Sequence, residues 1–286
     1  MLKLELEKIG YKHIKKITMK YLRLLIIISL FGSCSKNIYQ VSKNTYYKKA
    51  KKLGKSLAKI EQDTIKNRTT KVIESQNFNL RKPNLIVIHH TAQDSCQQTY
   101  KTFALERTQV SSHYVICDDG TTTQMLHDLV RGWHAGNGSW GKNTDINSAS
   151  IGIELDNNGK EPFSYAQINS LIFLLKKLTT KYKIPAQNIV GHSDIAPGRK
   201  TDPSALFPWK SLYESGLGIW YDEEDLKTVV LPVDFNSTFA LKYIGYKTDN
   251  IKNAIYAFKL HFNSEEVSNE LTEKDKKILF LLMNKI

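Results

Sequence analysis

NLIVIHHTA, residues 84–92, decides the fold. Leu85, Ile86, Val87 and Ile88 form an unbroken apolar run rich in β-branched side chains. Such a run reads as a strand buried on both faces. It leads into His89, His90, Thr91 and Ala92, so polar groups stand where the strand leaves the core. Open α/β sheets place their sites at the carboxyl ends of strands, and the search for chemistry starts there.

Working outward, SSHYVICDD (111–119) predicts a second strand that ends at an Asp119-Gly120 turn, and ASIGIELD (149–156) a third. In the third, Ile151 and Ile153 alternate with Gly152 and Glu154, which puts Glu154 on the face opposite the isoleucines. Ser164 and Gln167 have the spacing of a capping box. The helix they open carries Ile168, Leu171, Ile172, Leu175 and Leu178 along one stripe, as a helix packed on a sheet does. Ile184-Pro185 ends it, and NIVGH (188–192) supplies a further strand that delivers His192. The expected fold class is α/β, a central mixed β-sheet flanked by helices.

GHSDIAPGRKTDP (191–203) then stands out, because it holds little that could pack a core. Pro203 biases Asp202 toward extended backbone. Residues two apart on an extended segment share a side, so Lys200 and Asp202 point into one pocket. A histidine of the His89-His90 pair, His192 and Asp202 would give two imidazoles and a carboxylate, the ligand set of a catalytic zinc site.

Composition bounds the partners. The chain has 286 residues and a formal net charge of +13. Residues 1–34 hold seven Lys/Arg against two Glu, and residues 35–82 hold thirteen against three acids. The remainder is nearly neutral, which argues against a nucleic-acid enzyme, whose positive charge sits on its folded surface.

From Met19 the chain reads MKYLRLLIIISLFGSCSK. Lys20 and Arg23 precede a short apolar run, Leu24 to Phe31, and Gly32-Ser33 precede Cys34. The run is far shorter than the roughly 20 residues of a membrane-spanning helix. It resembles the lipobox of bacterial lipoproteins, which implies lipidation at Cys34. Serine after the cysteine fits an outer-membrane anchor facing the periplasm, with simple secretion as the alternative. The complete signal at Met19 makes residues 1–18 read as an upstream start. Cys96 and Cys117 could pair in an oxidising compartment, or remain two buried thiols.

The motifs IVIHHTA, SSHYVI, GWHAG, SIGIE and GHSDIAPGRKTDP, with FPW following, resemble in this order the type-2 N-acetylmuramoyl-L-alanine amidases, from about Ser75 to Trp209. The resemblance implies one Zn²⁺ per chain held by His89, His192 and Asp202, with Glu154 and Lys200 as catalytic residues. It is the motif that selects His89 over His90. His134 and Tyr114 are candidate substrate-binding residues. The substrate implied is peptidoglycan or a muropeptide, including 1,6-anhydro forms, cut between N-acetylmuramic acid and L-alanine.

The expected organisation is a leader over 1–34, a basic tether over 35–74, the zinc amidase domain over 75–212, a connector over 213–230 and a helical module over 231–286. In the module, Ala240, Leu241 and Ile244, then Ile251, Ile255 and Phe258, then Ile278, Leu279, Leu281 and Leu282 show helical spacing. Three short helices of this kind are similar to peptidoglycan-binding modules; a structural cap is the other reading. Two rival functions remain. A cytosolic recycling amidase is disfavoured by the lipobox, and a non-catalytic peptidoglycan-binding protein by the complete set of implied residues.

Overall fold

The computed structural model describes residues 38–58, 64–65, 68–69 and 80–286. The leader over 1–34, with Met19 and Cys34, lies outside them. Among the described residues no helix is long and apolar enough to cross a membrane. Two compact units divide between Glu74 and Ser75. The first contains a helix, Gln40–Leu57, without a buried residue, and a pair of two-residue antiparallel strands, Thr64–Ile65 and Arg68–Thr69.

The second unit, Ser75–Ile286, carries the sheet. Its strands are β1 (Leu85–His90), β2 (Tyr114–Ile116), β3 (Thr122–Gln124), β4 (Ser150–Leu155) and β5 (Ile189–Gly191). Their spatial order is β3–β2–β4–β1–β5. All neighbours are parallel except the β2–β3 hairpin, so the sheet is mixed. Ile86, Val87, Ile88, Ile151 and Ile153 are completely buried. That is why β1 reads as continuous rather than alternating: helices and loops cover both of its faces.

Helix α1 (Cys96–Ala104) follows β1, and a disulfide joins its first residue to Cys117 just beyond β2, with Cα atoms 5.6 Å apart. The one-turn α2 (Ile146–Ala149) leads into β4. The long helix α3 (Tyr165–Tyr182) buries Ile168, Leu171, Leu174, Leu175 and Leu178 against the sheet. Ser164 caps it by accepting from the Gln167 N–H at 3.1 Å. The Gln167 side chain does not complete a capping box. It is fully buried, and its Nε2 donates to Ile116 O and Asp156 O at 2.9 and 3.1 Å. Facing inward, it meets the carbonyls at the ends of β2 and β4 before it can turn back to its own cap.

After β5 come α4 (His192–Ile195), α5 (Trp209–Glu214) and α6 (Glu223–Thr228), then α7 (Ser237–Ile244), α8 (Ile251–Phe262) and α9 (Glu273–Met283). The last three are the expected C-terminal helices, and their apolar residues continue the core that begins at the sheet. A polar junction strengthens the packing. Asp194 on α4 accepts from Gly191 N, from His261 Nδ1 on α8 and from the Tyr246 hydroxyl after α7, each at 2.7 Å. Trp209 stacks on His261 with ring centres 3.7 Å apart.

A second buried pair ties α8 to α9. Lys259 Nζ lies 2.9 Å from Asp275 Oδ2, and the two side chains are 1% and 0% exposed. Ser268 Oγ and Glu270 O take further protons from the ammonium, at 3.0 and 3.2 Å. Removing one member of such a pair strands the other charge. Lys259→Met is therefore expected to destabilise the fold by about 3 kcal/mol or more in denaturant titrations; a change below ~1 kcal/mol would show that the pair is dispensable.

Candidate functional site

The site grows from the register of two parallel strands. In β1 and β4, His89 pairs with Glu154. Residues paired in this way project from the same face of a sheet, and here both are buried at its carboxyl edge. His90 points the other way, and its Nδ1 accepts from Ser204 N at 3.2 Å. His192 does not close β5 as a strand residue. It opens α4, because the Asp194 carboxylate takes the Gly191 N–H and turns the chain. Ser193 N donates to Asp202 O at 2.8 Å, which staples the far end of the loop beside His192.

The outcome is a three-way convergence. His89 Nδ1 and His192 Nδ1 lie 2.9 Å apart, and Asp202 Oδ2 is 3.2 and 3.0 Å from them. Among the described residues these three form the group of His, Cys, Asp and Glu side chains able to hold a metal ion. Protons alone satisfy it poorly. Three acceptor-type atoms meet at one point, and the outer nitrogen of His192 is already 3.0 Å from Ala135 O. With that nitrogen donating to the carbonyl, the inner one carries a lone pair. A divalent cation fits this donor set.

Electrostatics agree. Burial, then the neighbouring His192, pulls His89 down to about 4, against the opposing effect of Asp202. Asp202 is itself penalised by burial, yet its close contacts with His192 and His89 hold it well below the usual carboxylate range. At neutral pH His89 is thus a neutral imidazole and Asp202 a carboxylate, as metal ligation requires. Glu154 moves the other way. Burial, reinforced by the charge on Asp202 and opposed by Lys200, pushes it up to about 8.

Lys200 lies beyond a turn in which Arg199 N and Lys200 N both donate to Ala196 O, at 3.0 and 3.1 Å. The segment before Asp202 is therefore not simply extended. Lys200 still lines an open cleft together with His192, His134, Arg199, Trp133 and Val110. His134, on the wall of that cleft, has its ring Nδ1 3.0 Å from His89 Nε2.

Tyr114 is not brought to the site. It pairs with Ile153, one residue out of phase with Glu154, so it faces α3. There its hydroxyl donates to Asp128 Oδ1 at 2.6 Å, and Asp128 also accepts from Lys181 and Tyr182. Sequence reasoning missed Asn147, whose Oδ1 accepts from His134 N and Ala135 N at 3.1 and 3.0 Å. It also missed the carbonyl of Ala135. Backbone acceptors leave no signal in residue identity.

Residues 79–205 match the N-acetylmuramoyl-L-alanine amidase family (Amidase_2). The chain is 35% identical over 231 residues to the N-acetylmuramoyl-L-alanine amidase AmiD of Escherichia coli (strain K12), covering 70% of this chain and 82% of AmiD. It is 38% identical over 104 residues to the 1,6-anhydro-N-acetylmuramyl-L-alanine amidase AmpD of Enterobacter cloacae, covering 36% of this chain and 56% of AmpD. In three dimensions it resembles E. coli AmiD solved with anhydro-N-acetylmuramic acid-L-Ala-D-γ-Glu-L-Lys, with a TM-score of 0.65 at 30% identity, over 78% of this chain and 97% of that one. AmpDh3 of Pseudomonas aeruginosa, in complex with anhydromuramic pentapeptide, gives 0.64 at 29% identity over 76% and 99%. With these matches added to the geometry, the chain belongs to the type-2 N-acetylmuramoyl-L-alanine amidase family and is an enzyme of that class.

Proposed function

We propose that this chain is a zinc-dependent amidase that cuts the bond between N-acetylmuramic acid, 1,6-anhydro forms included, and the L-alanine of the stem peptide, in cell-wall turnover. The observation that carries the proposal is the convergence of His89, His192 and Asp202, with Glu154 paired to His89 on the adjacent strand. The two substrate-bound relatives support the anhydro form as a ligand.

His89 Nδ1, His192 Nδ1 and Asp202 Oδ2 would hold the ion. A Zn²⁺ held there would supply Lewis acidity toward the scissile carbonyl and a bound water. Glu154, paired with His89 across the two strands, takes a proton from the attacking water and hands it to the departing amine of L-alanine. Lys200, on the cleft wall, offers its ammonium to the oxygen that gains charge as the carbonyl becomes tetrahedral.

The same proposal includes place. The leader motif before Cys34 supports a lipid anchor at the outer membrane, with the enzyme facing the periplasm. The Cys96–Cys117 disulfide fits an oxidising compartment.

Purified protein supplied with Zn²⁺ is expected to release stem peptides from defined anhydro-muropeptides, followed by mass spectrometry of the products. Glu154→Gln should lower kcat by about 10²- to 10⁴-fold, and Asp202→Ala or a chelator should abolish turnover. Full activity in the Glu154 variant would overturn its assignment as the base.

The raised affinity of Glu154 for protons also has a sign. Between the ordinary value of 4.5 and about 8, the folded metal-free protein retains a proton that the unfolded chain has released. Its stability therefore falls as pH rises through that window. Melting curves in chelator at pH 5 and 9 should show a larger loss for the wild type than for Glu154→Gln. Equal losses would refute the buried proton.

For the anchor, labelled palmitate should enter the wild-type protein in a bacterial host and be absent from Cys34→Ser. Unlabelled protein in the cytoplasm would rule out the envelope assignment.

A further inference from the structure

His134 lies in a chain of buried polar groups that leads away from the His89–His192–Asp202 centre. His89 Nε2 and His134 Nδ1 are 3.0 Å apart, His134 Nε2 and Ser150 Oγ 3.1 Å, and Ser150 Oγ and Ile146 O 2.6 Å. The chain ends on a carbonyl, which only accepts. A hydroxyl oxygen 2.6 Å from a carbonyl oxygen must place its hydrogen between them, so Ser150 donates to Ile146 O. Its remaining lone pairs then face His134 Nε2, which has to be the protonated nitrogen. That leaves a lone pair on His134 Nδ1, and His89 must present Nε2–H to it. The direction of every bond follows from the terminal carbonyl.

We propose that His134 is a positioning residue, which accepts the Nε2 proton of His89 and so holds His89 in the tautomer whose Nδ1 lone pair faces His192 and Asp202. The inference rests on the metal-site reading above and adds to it the means by which one ligand is oriented. The opposite tautomer would have to aim the His89 Nε2 lone pair at the lone pair of His134. Reversing His134 as well would set its bare Nε2 against a serine whose hydrogen is already committed.

Space for this arrangement is built into β4. A Cβ at Gly152 would lie 2.4 Å from His134 Cγ, so the ring occupies the place a side chain would need. Asn147 Oδ1 holds the backbone of His134 and Ala135 by accepting from both N–H groups. The next carbonyl, Ala135 O, takes the outer nitrogen of His192 at 3.0 Å. Two consecutive residues thus face the outer nitrogens of both histidines.

The experiment compares zinc affinity, by competition with a chromophoric chelator, in the full chain and two variants. His134→Phe keeps a ring and removes the acceptor; His134→Asn offers Oδ1 in its stead. Phe is expected to weaken zinc binding by about 10- to 100-fold, with Asn restoring most of it. Long-range proton–nitrogen spectra of the metal-free wild type near pH 8 should show His89 protonated on Nε2. Wild-type protein that fails to bind zinc would count against the metal site itself. Wild-type binding with unchanged affinity in the Phe variant, or His89 protonated on Nδ1 in the spectrum, would overturn the role of His134 alone. Should the Phe variant not fold, the wild-type spectrum still decides.

Discussion

The carboxylate of Asp194 is the contact on which the site loop depends. Completely buried, it gathers donors from Gly191, His261 and Tyr246. A buried carboxylate is tolerable only when its oxygens are satisfied, so these partners are not interchangeable with water. The bond to Gly191 ends β5 and starts the turn that presents His192. The other two bonds come from the C-terminal helices. Those helices therefore do more than extend the core: they hold the segment that carries His192 and, ten residues on, Asp202, two of the three metal-ligand candidates.

Much of this was legible in the sequence, for reasons that differ from element to element. The unbroken run Leu85–Ile88 can be buried only as a central strand, and the stripe on α3 only against a sheet. Most of the ligand set was legible because the His89-His90 pair, His192 and Asp202 stand in polar settings at strand ends and in a loop poor in packing residues; the choice of His89 over His90 came from the family resemblance. Period-two alternation put Glu154 opposite the isoleucines, and the strand register places it beside His89.

Other features were hidden because competition decides them. Gln167 has the spacing of a capping residue, but sheet-end carbonyls sit closer to a buried inward-facing amide than its own cap does. Tyr114 is a candidate pocket residue in the sequence, and residue identity does not show which way it faces. One step of strand phase sends it to Asp128 instead. Lys200 and Asp202 share the site despite a turn that spacing alone did not anticipate. The disulfide needed a distance, since two cysteines 21 residues apart can meet or not.

Gly152 shows how a small residue can record a large one elsewhere. Between Ile151 and Ile153, a glycine weakens a strand by exposing backbone and packing nothing. That cost makes sense once the ring of His134 fills the missing volume. Any side chain at 152 would push the imidazole off the face it shares with Glu154 and His89. The position of His134 in turn decides which nitrogen of His89 is free. A strand glycine, a serine hydroxyl and a histidine far in sequence from every ligand candidate thus act on a single lone pair. Such coupling is strong because the interior is close-packed: a displaced ring loses its hydrogen-bond partners, and the error passes to the next group in the chain.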